Sequence, residues 1–182
     1  MKLTKYTINA IFSMFVFCFF SIGSHSAVIS GETIFGKVVS IADGDTLTVL
    51  NKENHEVRIR LVGIDCPEKS QAFGGRAKRL LSEKVFGHNV RVETRGQDNF
   101  QRTLGVIRFA DLDINEYLIM EGVAWHYKKY ASTQPPEEAK RYANAEQSAK
   151  AAKRGLWAQD NPTPPWEFRA QKNKNSKSSE TN

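Results

Sequence analysis

Residues 60–68 read Arg-Leu-Val-Gly-Ile-Asp-Cys-Pro-Glu, an apolar run that ends abruptly in polar residues. Just before this run, apolar residues alternate with arginines, which is the period of a half-buried strand. Pro67 cannot donate to a sheet and disfavours helix at the preceding residue, so the strand ends here. The carboxylates of Asp65 and Glu68 are therefore expected on a stiff bend at a strand end, with Arg60 a few residues upstream.

A second acidic cluster, Asp43-Gly-Asp-Thr46, lies upstream and has the form of a tight turn. If the two clusters converge, three or four carboxylates meet beside an arginine. Like charges so close repel each other, so a cation is expected among them, and a hard divalent metal prefers oxygen ligands. A metal beside arginines is suited to handling a phosphate. Taken singly, each piece has a plainer structural explanation, because Asp43-Gly44 alone is usually only a turn.

The composition of the chain limits the classes of function. Its 182 residues are 40% hydrophobic and 25% charged, which is typical of one soluble globular domain with appendages. The net charge of +6 favours a polyanionic partner without identifying one, since a basic, well-solvated surface has the same composition. The 4 histidines are scattered without metal-ligand spacing, which argues against a zinc site and against catalysis by histidine.

Residues 1–26 have the plan of a secretory signal peptide: two lysines, a short apolar stretch, then small and polar residues. We expect cleavage after Ser26 or Ala27, a secreted or periplasmic location and no stable membrane association afterwards. An uncleaved anchor is the alternative. The mature chain would keep one cysteine, Cys66, so no intramolecular disulfide is expected. A buried thiol in a monomer is expected, and a disulfide-linked dimer is the alternative.

Alternating apolar residues predict five β-strands in the body of the chain. Their ranges are 35–41, 46–50, 56–61, 89–94 and 104–109. Apolar residues at helical spacing predict one helix between the third and fourth strands and two after the fifth. The helical ranges are 73–85, 114–121 and 135–154.

This order of elements matches the five-stranded Greek-key barrel called the OB-fold, in an α+β protein that is mainly β. One helix is inserted in the barrel and two C-terminal helices follow it. A flat α+β sandwich is the alternative fold. The barrel domain is expected over residues 32–168. Residues 169–182 are rich in lysine, serine and asparagine, and they are expected to form a disordered polar tail.

The chain resembles the thermonuclease family, also called staphylococcal-nuclease-like, from about residue 36 to residue 157. The motifs that carry the resemblance are Asp43-Gly-Asp-Thr46, Arg60 with Gly63-Ile-Asp-Cys-Pro-Glu68, the loop from Asp98 to Leu104 with Arg102, Asn115-Glu116 with Gly122, and Gly155-Leu-Trp157. Each motif is weak alone, but their order and spacing are specific. The resemblance implies an OB-fold, hydrolysis of DNA and RNA as substrates, and Ca²⁺ as the cofactor.

By this resemblance, Arg60, Glu68 and Arg102 are the catalytic residues of a calcium-dependent endonuclease with little sequence preference. Glu68 would activate or orient the attacking water as a general base, and the two arginines would bind the phosphate. An alternative for Arg102 is a loop cation paired with Asp98. Phe100 is expected where the family has a tyrosine, so it could stack on a base but could not donate a hydrogen bond.

The metal ligands implied by the resemblance are Asp45, Asp65 and the backbone carbonyl of Cys66, with Asp43 acting through water. The best-known members of the family carry threonine at the position of Cys66. A carbonyl ligand survives that change, whereas a hydroxyl contact does not.

Two other functions are compatible with parts of the sequence. A non-catalytic OB-type protein would bind nucleic acid by stacking and charge. Degenerate relatives of that kind lose the acids and arginines, which this chain keeps. A surface-interaction protein would instead depend on the basic tail.

Overall fold

The first three strands form an antiparallel meander, as the alternating pattern predicts. A computed structural model of the protein describes residues 31–179, so the predicted signal peptide, residues 1–26, lies outside the described residues. The three strands are β1 (Thr33–Ile41), β2 (Thr46–Asn51) and β3 (Glu56–Leu61). Within β3, Ile59 and Leu61 are buried while Arg60 projects from the other face.

The barrel closes through two further strands. Antiparallel pairing joins β5 (Asn89–Gln97) to β1 on one side and to β6 (Thr103–Phe109) on the other. A parallel pairing between β6 and β3 completes the ring, with Arg60 opposite Leu104. The short strand β7 (Leu112–Asp113) adds to the free edge of β6. The predicted OB-type α+β barrel is therefore confirmed, and the flat sandwich is not formed.

The helices and the remaining short elements surround this barrel. They are β4 (Ile64–Asp65), α1 (Gly74–Val85), α2 (Ile114–Met120), β8 (Trp125–His126), a 3₁₀ helix (Lys128–Thr133), α3 (Pro136–Ala151), a second 3₁₀ helix (Gly155–Ala158) and α4 (Pro165–Ser179). The pairing of β4 with β8 holds the bend that follows β4 against the C-terminal half of the chain. In the described part of the chain, no helix is long and apolar enough to cross a membrane.

The core fills the barrel and the space beneath its helices. Inward-facing Leu47, Val49 and Ile59 are fully buried, and Leu81 of α1 is fully buried beside them in the same cluster. Burying a side chain of this kind contributes roughly 1.5–3 kcal/mol. The acidic turn and bend are therefore attached to a rigid scaffold.

The structure differs from the prediction of a disordered tail that begins at residue 169. The helix α4 runs from Pro165 to Ser179 and so includes most of that segment. Proline suits the first helical position, where its missing N–H group has no partner to lose. Trp166 then packs on Trp125 and Tyr127, with ring centroids 5.6 and 5.5 Å apart. This tertiary anchor outweighs the polar composition of the segment.

Candidate active site

The two acidic clusters meet at the edge of the barrel. The Cys66 N–H donates to Asp45 Oδ2 at 2.9 Å, which ties the bend after β4 to the turn between β1 and β2. The Leu61 N–H donates to the Asp45 carbonyl, also at 2.9 Å. Asp45 and Asp65 are both buried. Two carboxylates that are far apart in sequence thus occupy one enclosed place.

Gly44 allows this convergence. A Cβ added at this position would lie 2.6 Å from the Cβ of Ala77 and 2.8 Å from the Cβ of Cys66. Carbon atoms do not approach that closely, so any side chain here would push the turn away from both the bend and α1. The glycine of the acidic turn is therefore required for packing between elements.

Arg60 lies between the two buried acids. Its Nη2 is 3.2 Å from Asp45 Oδ2 and 3.3 Å from Asp65 Oδ1. Its Nη1 donates to the backbone carbonyls of Leu61 and Ile64, which fixes the plane of the guanidinium. The structure thus brings Arg60, Asp45 and Asp65 together, and the acids share one cationic nitrogen.

Burial dominates the electrostatics of this group. It raises the pKa of Asp45 to about 7, although Arg60 opposes the shift; Asp43 and Asp65 raise the pKa further. For Arg60, burial alone would lower the pKa, but Asp45 and Asp65 raise it above its ordinary value. Burial also raises the pKa of the Cys66 thiol, which favours its neutral form. The predicted buried position of this free cysteine is confirmed. Arg60 therefore only partly offsets the effect of burial on Asp45.

The donor atoms fit a hard divalent cation. Among residues 31–179, no group of three or more histidine, cysteine, aspartate or glutamate side chains is arranged to hold a metal ion. The predicted site needs only two side chains, Asp45 and Asp65, because its third protein ligand is the backbone carbonyl of Cys66. Oxygen donors of this kind suit Ca²⁺, and the two carboxylates already converge on one positive charge. The choice of ion and ligands stays a prediction.

Glu68 has a fixed backbone and an accessible side chain. Its N–H donates to Gln71 Oε1 at 3.1 Å, and its carbonyl accepts from the Gln71 N–H at 2.8 Å. Gly74 packs so closely on that carbonyl that an added Cβ would clash with it. The carboxylate is 39% exposed, so water can reach it. An acid with this combination can orient or deprotonate a water molecule.

Arg102 reaches the same site from the loop before β6. Its Nη1 donates to Thr46 Oγ1 at 3.4 Å, and that hydroxyl donates to Asp45 Oδ1 at 3.3 Å. The ion pair with Asp98, which the sequence analysis gave as the alternative role of Arg102, is formed: Arg102 Nη2 lies 2.7 Å from Asp98 Oδ2. Burial would raise the pKa of Asp98, but hydrogen bonds from Arg102 and Phe100 hold it below its ordinary value. One side chain, Thr46, separates Arg102 from the buried acids.

Arg169 is the residue of this site that the sequence analysis missed. Its Nη1 donates to Asp65 Oδ1 at 3.2 Å and to Glu68 Oε1 at 2.8 Å, and its Nη2 donates to Asp65 Oδ2 at 2.8 Å. The bonds to Asp65 raise the pKa of Arg169 above its ordinary value. A signal was present in the sequence, because Pro165 followed by Trp166 indicates a helix start with an aromatic anchor.

Comparison with known proteins identifies the family. The family model described as Staphylococcal nuclease homologue matches residues 58–159. The chain belongs to this family. The matched range contains Arg60, Asp65, Glu68 and Arg102, whereas Asp45 precedes it. The resemblance inferred from the motifs is therefore confirmed.

Several relatives within this family carry nuclease names. A protein named an uncharacterized endonuclease from Haemophilus influenzae is 45% identical over 135 residues, which cover 74% of this chain and 72% of the relative. A micrococcal nuclease from Shigella flexneri is 39% identical over 145 residues, 74% of this chain and 79% of the relative. A protein named ParB from Escherichia coli is 36% identical over 148 residues, 76% of this chain and 80% of the relative. The two relatives with nuclease names support nuclease activity for this family member.

Proposed function

We propose that this protein is a calcium-dependent endonuclease that hydrolyses the phosphodiester bonds of DNA and RNA with little sequence preference. The observation that carries the proposal is the convergence of Asp45 and Asp65 on Arg60, with Glu68 beside them at the surface. Membership of a family with named nucleases supports the reaction class.

The reaction requires charge stabilisation more than covalent chemistry. A phosphodiester repels nucleophiles, and its transition state carries extra negative charge on the equatorial oxygens. When bound by Asp45, Asp65 and the Cys66 carbonyl, Ca²⁺ would supply Lewis-acid stabilisation of a phosphate oxygen. Arg102 would offer a planar fork of donors to the phosphate once it releases Asp98. Arg60, whose terminal nitrogens are already bonded, would add its positive charge beside the same phosphate.

Glu68 would act on the attacking water. It would accept a proton from that water, or orient it, as the oxygen bonds to phosphorus and the bond to the leaving oxygen breaks. The exposure of Glu68 supports this role, because water reaches it more easily than it reaches buried Asp65. Backbone restraint by Gln71 and Gly74 would keep the carboxylate in place during the reaction.

The metal dependence and the role of Glu68 can be tested together. Mature protein and its Glu68→Gln variant would be incubated with labelled DNA and RNA in Ca²⁺, in Mg²⁺ and in excess chelator. We expect wild-type cleavage of both polymers in Ca²⁺ and none in chelator, and a rate at least about 100-fold lower for Glu68→Gln with binding retained. Undiminished cleavage in chelator would contradict the calcium requirement, and strand binding without any shortening would favour the non-catalytic alternative.

We also propose that the protein acts as a secreted or periplasmic monomer. The signal-peptide pattern of residues 1–26 supports export. The buried position of Cys66 argues against a disulfide-linked dimer. Cell fractionation with N-terminal sequencing would test export, and recovery of the full-length chain in the membrane fraction would favour the uncleaved anchor.

A further inference from the structure

Charges alternate across the site in an unbroken series. Asp45 pairs with Arg60, Arg60 with Asp65, Asp65 with Arg169, and Arg169 with Glu68. Arg169 contacts both carboxylate oxygens of Asp65, one through each terminal nitrogen. Both oxygens of one proposed metal ligand, Asp65, and one oxygen of the proposed general base, Glu68, are therefore bonded to a single guanidinium.

The position of Arg169 is held by contacts outside the site. Trp166, which lies about one helical turn before Arg169 in α4, packs on Trp125 and Tyr127. Gln71, which accepts from the Glu68 N–H, also donates through Nε2 to the Thr163 carbonyl at 2.6 Å. The segment that leads into α4 is thus fastened to the loop that carries Glu68, and Arg169 is presented to the acids by the fold.

We propose that Arg169 is an autoinhibitory counter-ion that holds Asp65 and Glu68 until Ca²⁺ displaces it. This inference rests on the proposed function, because it takes Asp65 as a metal ligand and Glu68 as the base. Bidentate arginine–carboxylate pairs are among the stronger hydrogen-bonded ion pairs, so a metal ion competes with a well-made contact.

Side-chain exposure distinguishes Arg169, which we expect to leave the acids when the metal ion binds, from Arg60, which we expect to remain. The Arg60 side chain is 15% exposed and is held by two backbone carbonyls, so releasing it would strand a buried charge. The Arg169 side chain is 42% exposed and can turn into water when its acids are taken. Of these two arginines, Arg169 is therefore the one that can exchange with an incoming cation at low cost.

The test measures Ca²⁺ binding without nucleic acid, by calorimetric titration of full-length mature protein. Arg169→Gln removes the competing cation, and Lys172→Gln, three residues further along α4, is the matched control for net charge. We expect Arg169→Gln to bind Ca²⁺ about ten-fold more tightly, equivalent to about 1.4 kcal/mol, and Lys172→Gln to stay within about two-fold of wild type. Arg169→Lys keeps the charge but loses the bidentate fork, so its affinity should fall between the two.

The outcomes separate this inference from the proposed function. Equal or weaker Ca²⁺ binding by Arg169→Gln would overturn the inference and leave the calcium site standing. Absence of Ca²⁺ binding by wild type and all variants would overturn the proposed function and this inference together. Should Arg169→Gln fail to fold, as judged by circular dichroism, Arg169→Lys carries the same test, and affinity equal to wild type would again contradict competition.

Discussion

Asp45→Asn should stabilise the metal-free protein above neutral pH although it removes a predicted metal ligand. Burial raises the pKa of Asp45 from 3.8 to about 7. Each tenfold change in acid dissociation is worth about 1.36 kcal/mol, so the ionised, metal-free fold is penalised by roughly 4 kcal/mol. Asparagine has the same shape and can still accept the Cys66 N–H, but it carries no charge. We expect a gain of about 2–4 kcal/mol in unfolding free energy at pH 8.

The sign of this effect fixes its pH dependence. Because the folded pKa of Asp45 is raised, the unfolded chain loses this proton at lower pH than the folded protein does. The contribution of Asp45 to wild-type stability therefore falls as the pH rises from about 4 to 7, and the full penalty is present above pH 7. The advantage of Asp45→Asn at pH 5 should therefore be less than half of its advantage at pH 8.

Urea denaturation in chelator at both pH values measures this difference. Asp111→Asn, at an exposed position, is the control for the same change of charge and should stay within about 0.5 kcal/mol of wild type. Added Ca²⁺ should stabilise the wild type and leave Asp45→Asn unchanged. A variant less stable than wild type at pH 8 in chelator would refute the reasoning.

Three further predictions concern the scaffold and the phosphate-binding side. Tyr142→Phe should lower the unfolding free energy by about 1.5–3 kcal/mol in urea denaturation, because the buried hydroxyl donates to both oxygens of Asp113; an unchanged midpoint would contradict this. Glu146→Gln should be less stable than wild type by about 1–2 kcal/mol at pH 7. Lys128 and Lys150 overcome the effect of burial and hold the pKa of Glu146 below 4.5, so this difference should shrink as the pH falls below that value. Thermal melts in which the two proteins differ equally at every pH would argue against it. Arg102→Lys should slow hydrolysis at least about ten-fold, since lysine keeps the charge but lacks the planar fork of guanidinium donors. Its free energy of unfolding should change by less than about 1 kcal/mol. Steady-state rates equal to wild type would exclude a role for the guanidinium fork.

Local patterns determined the barrel and the bend. The alternation in β3 places Arg60 opposite the buried residues, and Pro67 ends the strand beside two acids. These features depend on neighbouring residues, so the sequence suffices to predict them. The meeting of the two acidic clusters is different, because it depends on packing of Gly44 against Ala77 and Cys66. No periodicity reports that distance, so the residues alone raised the convergence only as a condition, and the family resemblance made it an expectation.

The helix α4 shows where composition misleads. Its later residues are polar and lysine-rich, a composition typical of a disordered segment. The contacts that order it join Trp166 to Trp125 and Arg169 to Asp65, partners that lie well upstream in the chain. Long-range contacts of this kind outweigh local propensity, and the local signal of Pro165 and Trp166 does not report them. Because α4 was not predicted, Arg169, which lies in it, was not predicted as a site residue either.

We propose that acids from two separate turns hold one cation on which phosphodiester hydrolysis depends. The most direct measurement titrates Ca²⁺ into wild type and Asp65→Asn, and follows bound Ca²⁺ and the DNA cleavage rate in the same samples. We expect the wild-type cleavage rate to rise in proportion to Ca²⁺ occupancy, and Asp65→Asn to lose both Ca²⁺ binding and cleavage. A full cleavage rate without bound ion, or an Asp65→Asn variant that binds Ca²⁺ and cleaves like wild type, would contradict it.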